Sequence, residues 1–413
     1  MMMTERRAWL LCGMLFCATA LSFLDRQVLS VLAPKLTVEL DLSNTVYSRV
    51  VFAFVLSYTV MFAVGGRLID ALGARLGMAL AVGVWSLASA AHALASGAWS
   101  LGAARFFLGI GEGACFPAAT KGAVEWMRPE RRALAVGVAN GGSAFGAVLA
   151  PPLTVWWTTA FGWRGAFIAT ALLGLLWLAL WQTAFRGLPR AIASNTMGEA
   201  RRGVGFGQLL ARPAVRRLVA ARFFFDPVFY FYMFWIPQYL SRQRGVSLDE
   251  IGKLTWIPFF VLGVMNIAAG RVSDLLVARG WEPRRARLTL MGVAALLTVA
   301  SWLASLAGTV AMAIALMSVL MFAHGIWIAN FITLIGDTVA PEEVGTAVGL
   351  TGTCGGVAGM ISSLVVGPVV DQYSFAPVFL ASSLLYPVAW LILTIKFVVP
   401  PSGGKVRQSS PSA

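Results

Sequence analysis

Apolar stretches long enough to cross a bilayer recur from one end of this chain to the other, separated by short polar loops. A spanning helix takes roughly 20 such residues. Twelve of them use about 240 of the 413 residues and leave no room for a separate soluble domain. Composition agrees: apolar residues make up 58% and charged residues 12%, against about 25% charged in a soluble domain, too few to cover a water-facing surface. Spans 1 to 12 are predicted at 8–33, 47–69, 77–95, 99–123, 132–158, 164–185, 218–242, 250–276, 286–306, 309–337, 344–370 and 376–398. The chain is therefore read as an all-α polytopic membrane protein.

A net charge of +14 raises the question of a nucleic-acid partner, and position answers it. With both termini on one side, 22 Lys and Arg outside the apolar cores of the spans fall on that side and 6 on the other, leaving Arg26, Arg105, Lys121 and Arg222 deep within spans. The positive-inside rule then puts both termini in the cytoplasm. The basicity is topological, and nucleic acid is excluded as a partner. Cys12, Cys17, Cys115 and Cys354 lie inside spans with no metal-ligand spacing and no loop pair to form a disulfide. Arg6 and Arg7 precede an apolar run too long for a signal peptide, and Asp25 and Arg26 interrupt it, so it reads as span 1.

Internal repetition organises the spans. Gly66-Arg67-Leu68-Ile69-Asp70 recurs as Gly270-Arg271-Val272-Ser273-Asp274, and Pro129-Glu130 with Ala135-Val136-Gly137 recurs as Pro341-Glu342 with Ala347-Val348-Gly349. The echoes fall at the ends of spans 2 and 8 and the starts of spans 5 and 11. An even number of spans per half gives both halves one orientation, the parallel repeat of the major facilitator architecture. The predicted organisation is a six-helix bundle over 1–185, a cytoplasmic linker over 186–217, and a second bundle with a short tail over 218–413. Gly66, Asp70, Gly73 and Arg75 form the loop between spans 2 and 3. Its glycines permit a tight turn, and the Asp70 carboxylate can cap a neighbouring helix or pair with a basic residue, latching the outward-facing state; Asp274 echoes it. Gly137, Gly141, Gly142 and Gly146 before Pro151-Pro152, and Gly349, Gly352, Gly355, Gly356 and Gly359 before Pro368, are expected to form a rocking interface between the halves.

Ionisable residues inside spans are costly and mark function. Asp25 and Arg26 sit deep in span 1. Arg105 and Glu112 lie seven residues apart in span 4, on one face and about 10 Å apart, placed to be bridged by a ligand or by span 1. A guanidinium keeps its proton and offers a planar fork to a carboxylate, so Arg26 and Arg105 suit an anionic substrate. A carboxylate in a low-dielectric setting holds its proton tightly, and a neighbouring Arg loosens that hold. Moving the Arg onto a substrate then couples substrate to proton, with Glu112 and Asp25 as carriers. Lys121 is expected to snorkel, Arg222 and Asp226 to form a structural pair, and His92 and His324 to be packed and hydrogen-bonded. Asn140, Asn330, Gln238 and Tyr58 are candidates to line a cavity. No phosphate loop, metal cluster or nucleophile elbow is present, so neither enzyme chemistry nor a cofactor or metal is expected.

Leu24-Asp25-Arg26-Gln27-Val28-Leu29, the run Arg105-Phe106-Phe107-Leu108-Gly109-Ile110-Gly111-Glu112-Gly113, and Cys115 through Lys121 resemble the anion:cation symporter family of the major facilitator superfamily. Glu125-Trp126, Pro129 through Ala133, Gly162-Trp163-Arg164 with Phe167, and Asp226-Pro227 through Leu240 resemble its hexuronate-transporter branch. The resemblance implies that Asp25 and Glu112 couple protons, that Arg26 binds the substrate carboxylate, that Arg105 is the basic partner of the carboxylate pair, and that Tyr58 contacts substrate. The chain departs from the sugar-acid pattern at Cys115, at Ser143 after Asn140-Gly141-Gly142, and at Thr353-Cys354-Gly355-Gly356, which offer fewer polar arms.

The expected function is proton-coupled import of an organic anion, a hexuronate or related sugar acid, by a monomer working through alternating access. Arg26 and Arg105 bind it with Tyr58, Ser143 and Asn140. Two rivals share the fold: an organic-phosphate antiporter, which does not need a titrating Glu112, and a symporter of a less hydroxylated carboxylate. A sensor would carry a signalling domain, and a membrane-embedded enzyme a nucleophile or metal cluster; the chain has neither.

Overall fold

The computed structural model describes residues 4–186, 204–340 and 343–395. Residues 187–203 of the predicted linker, Pro341 and Glu342 of the second echo, and the tail with Lys396, Lys405 and Arg407 lie outside the described residues. Nine helices among the described residues are long and apolar enough to cross a membrane. Two of these are hairpins. Gly73 (φ 75°) and Gly162 (φ 71°) break Asn44–His92 and Arg132–Ala184 with backbone that only glycine adopts without strain. A Cβ at Gly77 would sit 3.8 Å from the Ile69 Cα, possible only where the chain doubles back. In the second hairpin, Cys12 reaches the Ala135 carbonyl while Met14, beside it, accepts from Trp177.

Splitting both raises the nine to eleven. The twelfth span is Ala98–Gly113 followed by Cys115–Trp126, each too short to qualify alone. Pro117 cannot donate to the Gly113 carbonyl, and the Ala114 amide closes a tighter turn onto Gly111 at 3.3 Å. Span 4 therefore breaks at Ala114, two residues past Glu112. Span 7 begins earlier than expected, at Pro213, which suits the first helical turn because it has no amide hydrogen to leave unpaired; the short helix Phe206–Leu210 precedes it. Leu172, Leu176, Leu180, Ile267, Leu384 and Leu391 are exposed on the outer faces, the surface a helical bundle presents to lipid.

Arg7 donates to the Arg186 carbonyl at 2.8 Å, so the start of span 1 and the end of span 6 share one side, here the termini side. On the far side the two halves are sewn together. Ser30 donates to the Met233 carbonyl (2.7 Å) and Tyr47 to the Phe234 carbonyl (2.9 Å). Gln238 Nε2 donates to Thr37 (3.3 Å) and Asn44 (3.2 Å). Asp371, at the end of span 11, accepts from the amides and side chains of Asn44 and Thr45 at 2.6–3.2 Å, capping the exposed amides of the span 2 helix. Towards the termini, Gly137, Gly141, Gly270, Gly345 and Gly349 face open space.

The glycine expectation needs correction. Gly142 and Gly146 pack against Phe16, Thr19 and Ala20 of span 1, within their own half; it is Gly352 and Gly356 that meet Phe62 and Thr59 of span 2 in the other half. Span 5 meets span 8 through glycines of span 8 rather than its own, with Gly263 against Ala144 and Gly252 against Val155. Small residues permit close approach, but which helix they approach depends on the face they occupy.

Candidate functional site

Glu112 is buried because of its glycines. A Cβ at Gly109 would lie 2.5 Å from the Phe54 carbonyl oxygen and one at Gly113 2.8 Å from that of Tyr58, so span 4 presses against span 2 backbone to backbone. Gly111 does the same against span 3, 2.7 Å from the Trp85 nitrogen. The run Gly109-Ile110-Gly111-Glu112-Gly113 thereby seats a carboxylate among three helices, with the helix break just beyond it.

Span 1 supplies its partner. Arg26 Nε donates to Glu112 Oε2 at 2.9 Å, and Nη2 lies 2.9 Å from the same oxygen without hydrogen-bond geometry. The guanidinium carbon stands 4.4 Å from the Tyr58 ring centre, 4.5 Å from Phe23 and 5.2 Å from Phe54, contacts worth about 2 kcal/mol when desolvated. Arg105 Nη1 donates to the Arg26 backbone carbonyl at 3.2 Å, and Arg105 is within electrostatic reach of Glu112 and Asp25. Span 1 thus bridges the two span 4 charges, with the Arg26 side chain on one and its carbonyl on the other.

Asp25, neighbouring Arg26 but turned away from it, points between spans 3 and 6. Ser89 donates to its Oδ1 at 2.8 Å and lies 2.8 Å from Thr170 Oγ1. Asp25, Arg26, Arg105 and Glu112 are each at most 3% exposed. Yet Asp25 Oδ2, Glu112 Oε1, Arg26 Nη2 and Arg105 Nε and Nη2 have no hydrogen-bond partner in the protein. A buried polar atom left unpaired costs about 1–3 kcal/mol, so this cluster is built to be completed by something that enters.

The other expected residues distribute unevenly. Tyr58 belongs to the cluster. Asn140 donates to Thr120 at 3.3 Å, and the Ser143 hydroxyl is spent on the Asn140 carbonyl at 2.8 Å. Phe116, one turn before Thr120, stacks edge-on against Phe23, which places the Asn140 end one aromatic layer from Arg26. Gln238 is part of the far-side seal rather than of a cavity wall, and Asn330 donates to the Ile326 carbonyl of its own helix. Lys121 does not snorkel freely: it pairs with Asp70 at 2.8 Å and lies 3.6 Å from Glu125. Asp70 therefore bonds within its own half. Arg75 stands 4.9 Å over the Phe185 ring and its carbonyl accepts from Trp181. Asp274 has no ion-pair partner among the described residues; beside it Ser273 accepts from Arg287, which holds Asp337 at 2.8 Å. His92 is bonded to the Ala88 carbonyl and stacked on Phe167, and His324 is bonded to Tyr386 and stacked on Phe229.

Ser89 and Thr170 were missed, and nothing in their apolar surroundings distinguishes them from ordinary packed hydroxyls. Phe54 carried a signal: Phe54, Tyr58 and Phe62 recur every four residues, a single aromatic stripe down span 2.

The Major Facilitator Superfamily model matches residues 15–363. The chain belongs to that superfamily. It is a transporter, not an enzyme. It is 30% identical to the hexuronate transporter of Escherichia coli (strain K12) over 388 residues, covering 90% of this chain and 89% of that one. It is 31% identical to the hexuronate transporter of Bacillus subtilis (strain 168) over 399 residues, covering 94% and 93%. Among solved structures it superposes, with a TM-score of 0.75 and 19% identity over 95% of each chain, on a bacterial homologue of the human lysosomal transporter Spinster in an inward-facing, unoccupied conformation. That likeness shows the shared fold.

Proposed function

We propose that this transporter carries a sugar acid, a hexuronate or a close relative, together with protons across a bacterial inner membrane by alternating access, as a monomer with both termini in the cytoplasm. One observation carries the reading: Arg26 is buried among aromatic rings and held by a single oxygen of Glu112, whose second carboxylate oxygen makes no hydrogen bond in the protein. The hexuronate transporters it matches support the substrate class. With the termini in the cytoplasm, halves joined on the far side and parted on the termini side correspond to an inward-open state.

The chemistry follows from exchange of partners. A substrate carboxylate on Arg26 displaces Glu112, whose charge is then uncompensated in a low-dielectric site and takes up a proton. Release of the substrate returns Arg26 to Glu112 and the proton to water. Arg105, tied to the Arg26 carbonyl, fixes the backbone from which Arg26 swings. Asp25 is a second proton-carrying group, held by Ser89. The latch role of Asp70, with Gly66, Gly73 and Arg75 shaping its loop, belongs to the same cycle: freed from Lys121, its carboxylate can cap the span 11 helix when the termini side closes.

A less hydroxylated carboxylate is the second reading. It is favoured by the rings of Phe23, Phe54 and Tyr58 around Arg26, and by Ser143, Thr351 and Thr353 bonding carbonyls of their own helices rather than facing a ligand. The test is uptake of labelled glucuronate into proteoliposomes with an acidic exterior, in competition with unlabelled galacturonate, a short aliphatic carboxylate and a sugar phosphate. Proton-driven accumulation blocked by galacturonate supports the sugar-acid reading. Blockade by the aliphatic acid alone moves the assignment to the simpler carboxylate, and exchange with the sugar phosphate without need of a pH gradient overturns it in favour of an antiporter.

A further inference from the structure

The C-terminal half holds a buried ion pair that the cycle above leaves unused. Arg222 Nε donates to Asp226 Oδ2 at 3.0 Å and Nη1 to Thr351 Oγ1 at 3.3 Å, while Nη2 has no acceptor among the described residues. The two side chains are only 14% and 13% exposed. Arg287, a largely buried cation of the same half, is by contrast engaged by both Asp337 and Ser273. A guanidinium in a membrane core with an unspent edge is costly unless water or a ligand uses it.

The register between the halves places this edge opposite Arg26. Ser30 meets Met233 and Thr37 meets Gln238, so spans 1 and 7 run parallel with an offset of 201–203 residues, and position 23 of span 1 lies level with position 226 of span 7. Arg26 leans back over the Phe23 ring, the direction a helical side chain takes, and Arg222 reaches forward to Asp226. Both guanidinium groups therefore come to one depth. Between them stands Tyr230, within electrostatic reach of Arg26, Arg222, Asp226 and Tyr58. Gly355 and Gly359 let Asp226 and Tyr230 press against bare span 11 backbone, so no side chain of that helix covers the pair at these positions.

We propose that Arg222 is the second anchor of the substrate site and sets its specificity: it takes the acidic group at the far end of a dicarboxylic sugar acid whose first carboxylate is on Arg26. The proposal rests on the sugar-acid reading of the Arg26 site. Charge balances: each carboxylate of the ligand displaces one protein carboxylate, Glu112 from Arg26 and Asp226 from Arg222, and each displaced group takes up one proton. A monocarboxylate of the same length engages Arg26 and leaves Arg222 on Asp226.

The test is binding of glucarate and of glucuronate to the purified transporter by titration calorimetry, for wild type, Arg222→Gln, Arg222→Lys and Asp226→Asn. Wild type should bind glucarate about tenfold or more tightly than glucuronate, the scale of one charge-assisted hydrogen-bonded contact. Arg222→Gln should bring the ratio of the two constants close to one whatever happens to each, Arg222→Lys should keep part of it, and Asp226→Asn, which frees Arg222, should keep or enlarge it. Thermal unfolding of each variant shows that the protein is folded. Equal affinities in wild type, or a preference that survives in Arg222→Gln, overturn the role of Arg222 and leave the sugar-acid reading intact. Failure of wild type to bind either acid overturns that reading and this one with it.

Discussion

In the N-terminal half Arg26 and Glu112 meet at 2.9 Å with side chains at most 4% exposed, Arg105 and Asp25 lie beside them, and five polar atoms of the cluster make no hydrogen bond in the protein. In the C-terminal half Arg222 meets Asp226 at 3.0 Å and Arg287 meets Asp337 at 2.8 Å, both nearer water and both with a second hydrogen bond to a hydroxyl. The halves echo each other in their loops and in the offset of their helices, but they do not repeat each other's chemistry. Even the loop echo diverges: Asp70 holds Lys121, whereas at Gly270–Asp274 it is Ser273 that is engaged and Asp274 is exposed. The halves share a scaffold, and among the described residues most of the buried charged-group atoms without a hydrogen bond lie in the N-terminal one.

The sharpest way to break that contrast is to remove the cation. Arg26→Ala should abolish uptake and, by leaving Glu112 buried without its partner, cost about 3–5 kcal/mol of stability, read as a lowered unfolding temperature and as loss of substrate binding. Arg287→Ala, in the half nearer water, should lower stability less and leave binding in place. A stable Arg26→Ala protein that still binds would refute the assignment of the site to the N-terminal half.

Next in size is backbone contact. Gly113→Ala should destabilise by about 1–3 kcal/mol, because its methyl would press on Met61 and the Tyr58 carbonyl. Gly137→Ala, with nothing within 4 Å, should be neutral or gain up to about 1 kcal/mol of helix propensity. Thermal unfolding of the two variants side by side distinguishes packing glycines from free ones.

A third variant acts between the halves. Asp371→Ala removes the acceptor of four hydrogen bonds across the far-side seal, and should shift the population toward the far-side-open state. With Ser48→Cys as reporter, labelling by an impermeant thiol reagent from the far side should quicken severalfold; unchanged labelling would mean that the seal does not depend on this carboxylate.

The smallest effect belongs to the membrane surface. The hydrogen bond from Arg212 (2.6 Å) holds the Glu343 carboxyl below the usual carboxylate range. A group with a depressed folded-state value stabilises the protein above its ordinary range and loses that contribution as pH falls through the depressed one. Arg212→Gln should therefore lower the unfolding temperature slightly at neutral pH and not at all at the acid end, where the parent and the variant should coincide.

Much of the fold was legible because lipid leaves few choices: Asp25, Arg26, Arg105 and Glu112 stood out against apolar surroundings, and Gly73 lay in a motif whose turn needs a positive φ. Whether the site residues meet was not legible, since Arg26 and Glu112 are 86 positions apart and their contact depends on which faces spans 1 and 4 turn to each other. Helix faces explain the misses as well. Gly142 and Gly352 belong to the same motif class, yet one packs inside its half and the other against span 2. Ser89 acquires meaning only from the carboxylate that span 1 brings to it.

The central claim is that Glu112 exchanges Arg26 for a proton when substrate binds. Reconstituted Glu112→Gln, compared with wild type, tests it most directly in two modes: counterflow of labelled glucuronate at equal pH, and accumulation driven by an acidic exterior. The account predicts that the variant keeps counterflow and loses gradient-driven accumulation. Accumulation that survives at wild-type levels in Glu112→Gln would contradict it.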